Sequence, residues 1–577
     1  MDEQQRNLII AVALSIAILL GFQFFFGQQQ HPPVLPSATQ TSEQQQAAEP
    51  NAAAPTAPAG VAPVRPRDEV LAETPRVGIE TPRLKGSINL VGAGIDDLTL
   101  LTYHQTTDPE SPPIRLLSPE GSEHPYVADF GWAPSQGVKL PDATTHWTAS
   151  STILTPDHPV ELTWDNGAGL RFIRRFAVDQ DYMFTITETV ENHGESPVTL
   201  YPYGRVDRTG NPVTSSTYIL HEGPIGVFNG TLNDGIAYKD LKPGDARGFA
   251  TTGGWMGFTD KYWLVSLVPD QQEPVKARFL RADHDRNEIF QADYTGSEHV
   301  VPPQGTLSID DHLFAGAKIL SLLDNYESTL HIPLFDHAID FGWFDFLTKR
   351  IFQALDYFNR VLGNFGLAIM LLTVIFKLLF FPLANKSYRA MSKMKLLQPE
   401  MAKLKERFGE DKERLNQETM ALYKRVGANP VAGCLPIVVQ IPVFFALYKV
   451  LYVTIEMKGA PFYGWIHDLS VPDPTSFVNL FGLLPYAVPH IPALASVLNI
   501  GLWPMIMGVT MFLQQKLNPP PADPVSAKMF TFLPLFFTWM LAQFPAGLVI
   551  YWTWNNLLSI AQQWVIMRRA GVKHPTR

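Results

Sequence analysis

Chemistry is confined to few residues in the apolar half of this chain. Lys377 is the single charge in the run Phe365 to Leu383, and no acidic residue lies in the neighbouring hydrophobic segments. A charge at bilayer depth costs roughly 2.5 to 3.5 kcal/mol on insertion scales. Without a carboxylate partner, Lys377 must either snorkel to an interface or face a water-filled groove. Six residues separate it from Leu383, a helical distance of roughly 9 Å that a lysine stem can cover, so both settings remain open. Other polar residues at this depth include Thr373, Gln440, Thr510, Thr531, Thr538, Asn555, Asn556, Gln562 and Gln563, with no Asp, Glu or His. An ion-coupled solute transporter usually needs a carboxylate or histidine relay there. Converging catalytic groups, a metal-ligand set and a phosphate-binding glycine loop are missing too. The expectation is a non-enzymatic protein without cofactor or metal.

The elements that would position Lys377 read as membrane spans. Leu8 to Phe26 is uncharged and long enough to cross a bilayer core. It ends Phe24-Phe25-Phe26-Gly27 without a small-residue cleavage site, which favours an anchor (7–27) over a signal peptide. Further spans are expected at about 361–384, 431–455, 495–514, 529–543 and 548–567. The last two are separated by Phe544-Pro545-Ala546-Gly547. Lys449 can snorkel near the end of its span. The 529–543 segment is short for a bilayer, which suggests local thinning of the membrane. Residues 470–494 form an extended loop with no evident role.

Charge divides the chain. Residues 28–345 carry a net −21 and the remainder +11, which argues against a nucleic-acid partner for the acidic part. By the positive-inside rule, the basic loop Asn385–Pro430 and the tail after Met567 (571–577 in particular) are cytoplasmic, as is the amino terminus. The acidic part is then exported. Its Gln-, Ala- and Pro-rich stretch 28–75 reads as a disordered linker. Residues 76–335 alternate in the manner of strands, as in Tyr182, Phe184, Ile186 and Val190 against Thr185, Thr187 and Thr189. A large antiparallel sandwich follows. The only cysteine, Cys434, lies in an apolar segment, so no disulfide framework is expected.

Residues 336–360 place Phe341, Phe344, Leu347, Ile351, Leu355 and Phe358 three and four apart. That pattern suits an amphipathic helix in the membrane interface, or one packed on the sandwich. In the basic loop, Met394, Leu397, Met401, Leu404 and Phe408 form one seam, and Leu415, Thr419, Leu422 and Val426 another. Two antiparallel helices (385–430) turning at Gly409 would bury both seams. Lys393, Lys395, Lys403, Lys405, Arg407, Lys412 and Arg414 stay outside, either to touch ribosomal RNA or a targeting factor, or only to enforce topology.

Several stretches together resemble the YidC membrane insertase family in its Gram-negative form. They are Met394-Lys395-Leu396-Leu397-Gln398-Pro399, Gln417 to Lys424, Asn429 to Pro436, Gln440-Ile441-Pro442-Val443-Phe444, Trp465 to Leu469, Gly508 to Phe512 and Phe544-Pro545-Ala546-Gly547-Leu548. The resemblance spans the chain and is strongest from Asn364 onward. It implies an α+β membrane protein of six transmembrane helices, a five-helix insertase core (361–570) plus the anchor. A periplasmic β-supersandwich and a cytoplasmic helical hairpin complete it. It further implies a hydrophilic groove with one basic residue, usually arginine, whose position Lys377 occupies. Lysine lacks the planar fork of arginine. Thr373, Gln440, Tyr551 and Trp552 match other groove-lining positions, although the two aromatics alone would also suit a membrane-interface belt.

The function expected is insertion and folding of nascent inner-membrane proteins, with chaperone activity, alone or with a Sec-type translocon. Ribosomes (through the cytoplasmic loops and basic tail) and membrane lipids are further partners, and the inner membrane is the location. A membrane-anchored carbohydrate-active or carbohydrate-binding protein and a solute transporter are the alternatives.

Overall fold

The computed structural model describes residues 54–55, 64–106, 108, 110–133, 137–210, 212, 220–284, 287–342, 344–409, 411–426, 435–484, 498–518 and 524–569. The anchor 7–27, most of the linker and the tail 571–577 lie outside the described residues.

Alternating strands build a β domain of two sheets, one of eleven strands and one of nine. Pairing is antiparallel except where Gly78 and Ile79 run parallel to Ile153 and Leu154. In the nine-stranded sheet, Met183–Asn192 lies between Leu170–Val178 and Thr306–Ala317. Phe184, Ile186 and Val190 are fully buried. On the opposite face, Thr187 Oγ1 donates to Asp310 Oδ1 at 2.6 Å, and Thr189 and Ser308 hydroxyls pair at 3.0 Å. Glu188 keeps the burial alternation but places a charge on the apolar face. Arg174, directly opposite in register, pairs with it and donates to Ala93 O at 3.1 Å. A buried pair of this kind survives only when each charge is satisfied by the other and by the backbone.

Part of the stretch read as disordered is ordered. Residues Arg67–Leu71 form helix α1, Arg65 pairs with Glu73, and Ala54 is buried against Ala133 and Tyr203. Composition could not show the burial of Ala54, because its partners lie on strands far along the chain.

The helical half follows. Its elements are α2 (Leu320–Thr329), α3 (Asp345–Leu362), α4 (Phe365–Leu379), α5 (Phe381–Leu396), α6 (Gln398–Phe408) and α7 (Lys412–Val426). After them come α8 (Leu435–Val453), α9 (Leu502–Leu517), α10 (Pro524–Leu541) and α11 (Ala546–Arg569). Among the described residues no single helix is long and apolar enough to cross a membrane. The pair α4 and α5, bent by 68°, meets the length and composition together.

Gly363 ends α3 in the left-handed region, its N–H bonded to Asn359 O, and Asn364 caps α4 by accepting from Leu367 N at 3.1 Å. Ile351, Phe352 and Leu355 of α3 are buried in the common core, whereas Phe346 and Tyr357 point outward. Lys349 of α3 reaches Asp324 at 2.9 Å and Asp336 at 2.7 Å, which fastens the helix to α2 and to the turn Phe335–Ala338. The Lys449 ammonium pairs with Asp340 at 2.9 Å. The described part of the 470–494 loop holds a capping residue. Asp473 accepts from Trp465 Nε1 at 3.0 Å and from Trp503 N at 2.9 Å, so it caps the N-terminus of α9 from a distance. Finally, α10 begins at Pro524 and runs 18 residues, roughly 27 Å at the α-helical rise. Its apolar part, Lys528–Leu541, is shorter than the helix.

Candidate functional site

The helices α4, α8, α9, α10 and α11 are inverted relative to a water-soluble bundle. Large apolar residues such as Leu378, Phe445, Val509, Phe532 and Val565 are exposed, while Thr373, Thr510, Asn555, Asn556, Ser559 and Gln563 are buried. Such an apolar exterior is far larger than a soluble monomer tolerates.

The polar row on α11 explains where Lys377 goes. Asn555, Ser559 and Gln563 recur every four residues and therefore share one helical face. Lys377, in the last turn of α4, donates from Nζ to Ser559 Oγ at 2.7 Å, and Ser559 donates to Asn555 O at 2.7 Å. Among the described residues no carboxylate comes within ion-pair distance of Lys377. The straight-helix distance to Leu383 does not apply, since the chain bends after Leu379.

Below the ammonium, α4, α5 and α11 enclose a cavity of about 740 Å³. Its cationic lining is Lys377, Arg389, Lys393 and Arg569; Asn385, Ser392 and Gln562 add uncharged polar groups, and no acid lines it. The remaining wall is apolar, with Leu378, Phe381, Leu396 and Val565 largely exposed at its edge. A short anionic or polar segment is matched by the first set and its apolar continuation by the second.

The other expected groove residues form a separate constellation. Gln440 Nε2 donates to Tyr551 OH at 3.3 Å. Trp552 packs edge-on against Phe444, ring centroids 4.9 Å apart. Thr373 is buried and turns its hydroxyl back to Ile369 O at 2.7 Å. None of the four lines the cavity. Conversely, Ser559, Arg389 and Arg569 were not singled out in sequence. The four-residue spacing from Asn555 through Ser559 to Gln563 was the available signal for the first.

The basic loop is helical on both sides of Gly409. Met394, Leu397 and Leu422 are buried together, with Met401, Leu404 and Tyr423 against them. Lys393, Lys403, Lys405, Arg407 and Arg414 are exposed, Arg414 over the Phe408 ring at 5.8 Å. Lys395 bonds to Leu517 O at 3.5 Å. The side chain of Lys412 lies outside the described residues. The only carboxylate trio spaced for a cation among the described residues is Asp324, Glu327 and Asp336, and Lys349 already pairs with two of the three.

Residues 76–354 match the family described as YidC periplasmic domain, and residues 357–573 match that described as 60Kd inner membrane protein. A membrane protein insertase YidC from Methylobacterium nodulans is 50% identical over 99% of this chain and 96% of its own length. One from Granulibacter bethesdensis is 48% identical over 99% of both. Among solved structures, an active YidC insertase with its first transmembrane domain resolved aligns with 85% of this chain and 92% of its own, at 17% identity and a TM-score of 0.36. A putative aldose 1-epimerase from Escherichia coli K12 aligns with 42% of this chain and 98% of its own, at 12% identity and a TM-score of 0.29.

Proposed function

The chain belongs to the YidC family of membrane protein insertases, and we propose that its helical half inserts clients by way of the Lys377 cavity. The protein is an insertase of the bacterial inner membrane. A polar flank of a nascent membrane protein enters the cavity from the cytoplasmic side while the adjoining apolar segment slides along the exposed faces of α4 and α11 into lipid. The observation that carries this reading is Lys377, held by Ser559 without a carboxylate, at the head of a cavity with three further cations and no acid. Burying a polar flank unsolvated costs several kcal/mol. Cationic and hydroxyl groups lower that barrier without nucleotide hydrolysis.

The finer architecture is part of the proposal. Six spans place both termini in the cytoplasm and the β domain in the periplasm. The α6–α7 hairpin and the tail touch the ribosome, and a Sec-type translocon joins for some clients. Thr373, Gln440, Tyr551 and Trp552 support the slide above the cavity, nearer the periplasmic end of α11.

Photo-crosslinking tests the route. A photoreactive residue at Gln562, in the cavity, should capture a ribosome-bound client, and one at Tyr357, on the outer face of α3, should not. Equal capture at both positions, or none at Gln562, contradicts the route.

A further inference from the structure

The eleven-stranded sheet carries a polar row that insertion does not use. Arg278, Asp293, Arg205 and Asp129 lie directly opposite one another on four successive strands, alternating in sign. Arg278 Nε bonds Asp293 at 2.7 Å and Arg205 Nε lies 3.4 Å from Asp129. Asp293, Arg205 and neighbouring Gln291 are buried, and among the described residues Ala54 and Pro55 bond to this row from the amino-terminal side.

Every backbone polar group of that dipeptide is held. Ala54 N donates to Thr295 Oγ1 at 2.9 Å. Ala54 O accepts from Arg278 Nη2 at 2.8 Å. Pro55 O accepts from Arg205 Nη1 at 3.1 Å and from Gln291 Nε2 at 3.2 Å. Proline has no N–H, so none is stranded. The Ala54 methyl is buried beside Ala133, Tyr203 and Tyr201. Charged donors to a carbonyl make stronger bonds than neutral ones.

We propose that this face of the β domain is a docking site for an extended small-residue–proline segment, occupied in cis by Ala54-Pro55 of the chain's own tether. The arginines, the glutamine and Thr295 read backbone, the alanine pocket reads side-chain size, and proline removes the one donor the site does not match. Docking fixes the tether to the β domain at Ala54 and Pro55. The proposal is independent of the insertion route.

Disulfide trapping in the full chain tests it. The protein would carry Cys434→Ser, Ala54→Cys and Thr295→Cys, with a thrombin site inserted after Gly60, and be oxidised in native membranes. After thrombin cleavage, trapped fragments remain joined on a non-reducing gel. Ala54→Cys should trap about tenfold more than Ala47→Cys in its place. Pro55→Gly, which leaves the β domain untouched, and Gln291→Leu should each lower the yield several-fold while the protease-resistant core of the domain persists. Equal trapping at residues 47 and 54 would overturn the proposal, as would a yield indifferent to both added substitutions.

Discussion

Lys377 and Ser559, separated by 182 positions in sequence, meet through a 2.7 Å hydrogen bond from Nζ to Oγ. The bond ties the last turn of α4 to the polar face of α11. One donor of the ammonium is satisfied, and its charge is left uncompensated by any described carboxylate. Ser559→Ala should therefore lower insertion several-fold while Lys377→Ala abolishes most of it, because the first change loosens the ammonium and the second removes it. Client protection in reconstituted vesicles measures both.

Salt dependence distinguishes an electrostatic ribosome contact from topology enforcement. Lys403, Lys405, Arg407 and Arg414 are exposed on the hairpin. Replacing all four with Glu should reduce co-sedimentation with ribosomes about tenfold at low salt, and the difference should shrink as salt rises. Unchanged co-sedimentation would confine these residues to setting topology.

Arg174 and Glu188 form a buried pair at the centre of the β domain. Arg174→Met leaves Glu188 buried and uncompensated, so the domain should lose about 3–5 kcal/mol. Thermal or denaturant unfolding of the purified chain gives the value, and a loss under 1 kcal/mol contradicts the assignment.

Asp311 is fully buried, and burial pushes its carboxyl up to about 7, with the Tyr294 hydroxyl opposing and the Glu188 charge adding to the effect. The folded state therefore holds a proton that the unfolded chain releases near pH 4. Stability from this group is complete below that pH and is lost as pH rises toward 7, at up to about 1.4 kcal/mol per pH unit. The melting temperature of the β domain should fall across this window, and Asp311→Asn should flatten the slope.

The sandwich was legible because Phe184, Ile186 and Val190 follow a period of two that only a strand uses. Glu188 was not, because its partner is set by the register against Leu170–Val178 rather than by alternation. Lys377 stood out as a charge among apolar residues, whereas Ser559 did not: a serine in a helix carries no signal until the facing helix is known. Gln440 and Tyr551 do meet, yet the cavity lies elsewhere, between α4, α5 and α11. Of the family-matched positions only Lys377 lines that space, whose walls depend on the bend after Leu379.

Asp473 fastens the loop before α9 by accepting from Trp465 and Trp503. Asp473→Ala should cost about 1–2 kcal/mol, as loss of a helix cap does. Faster hydrogen exchange at Leu502 and Trp503 would locate the change, and exchange equal to wild type there would contradict the capping role.

Insertion by the purified protein in liposomes, scored as protease protection of a two-span client, tests the central role of the cavity charge. Wild type and Lys377→Arg should protect the client and Lys377→Ala should fall to near the level of empty liposomes. Full protection by a correctly folded Lys377→Ala variant would contradict the account.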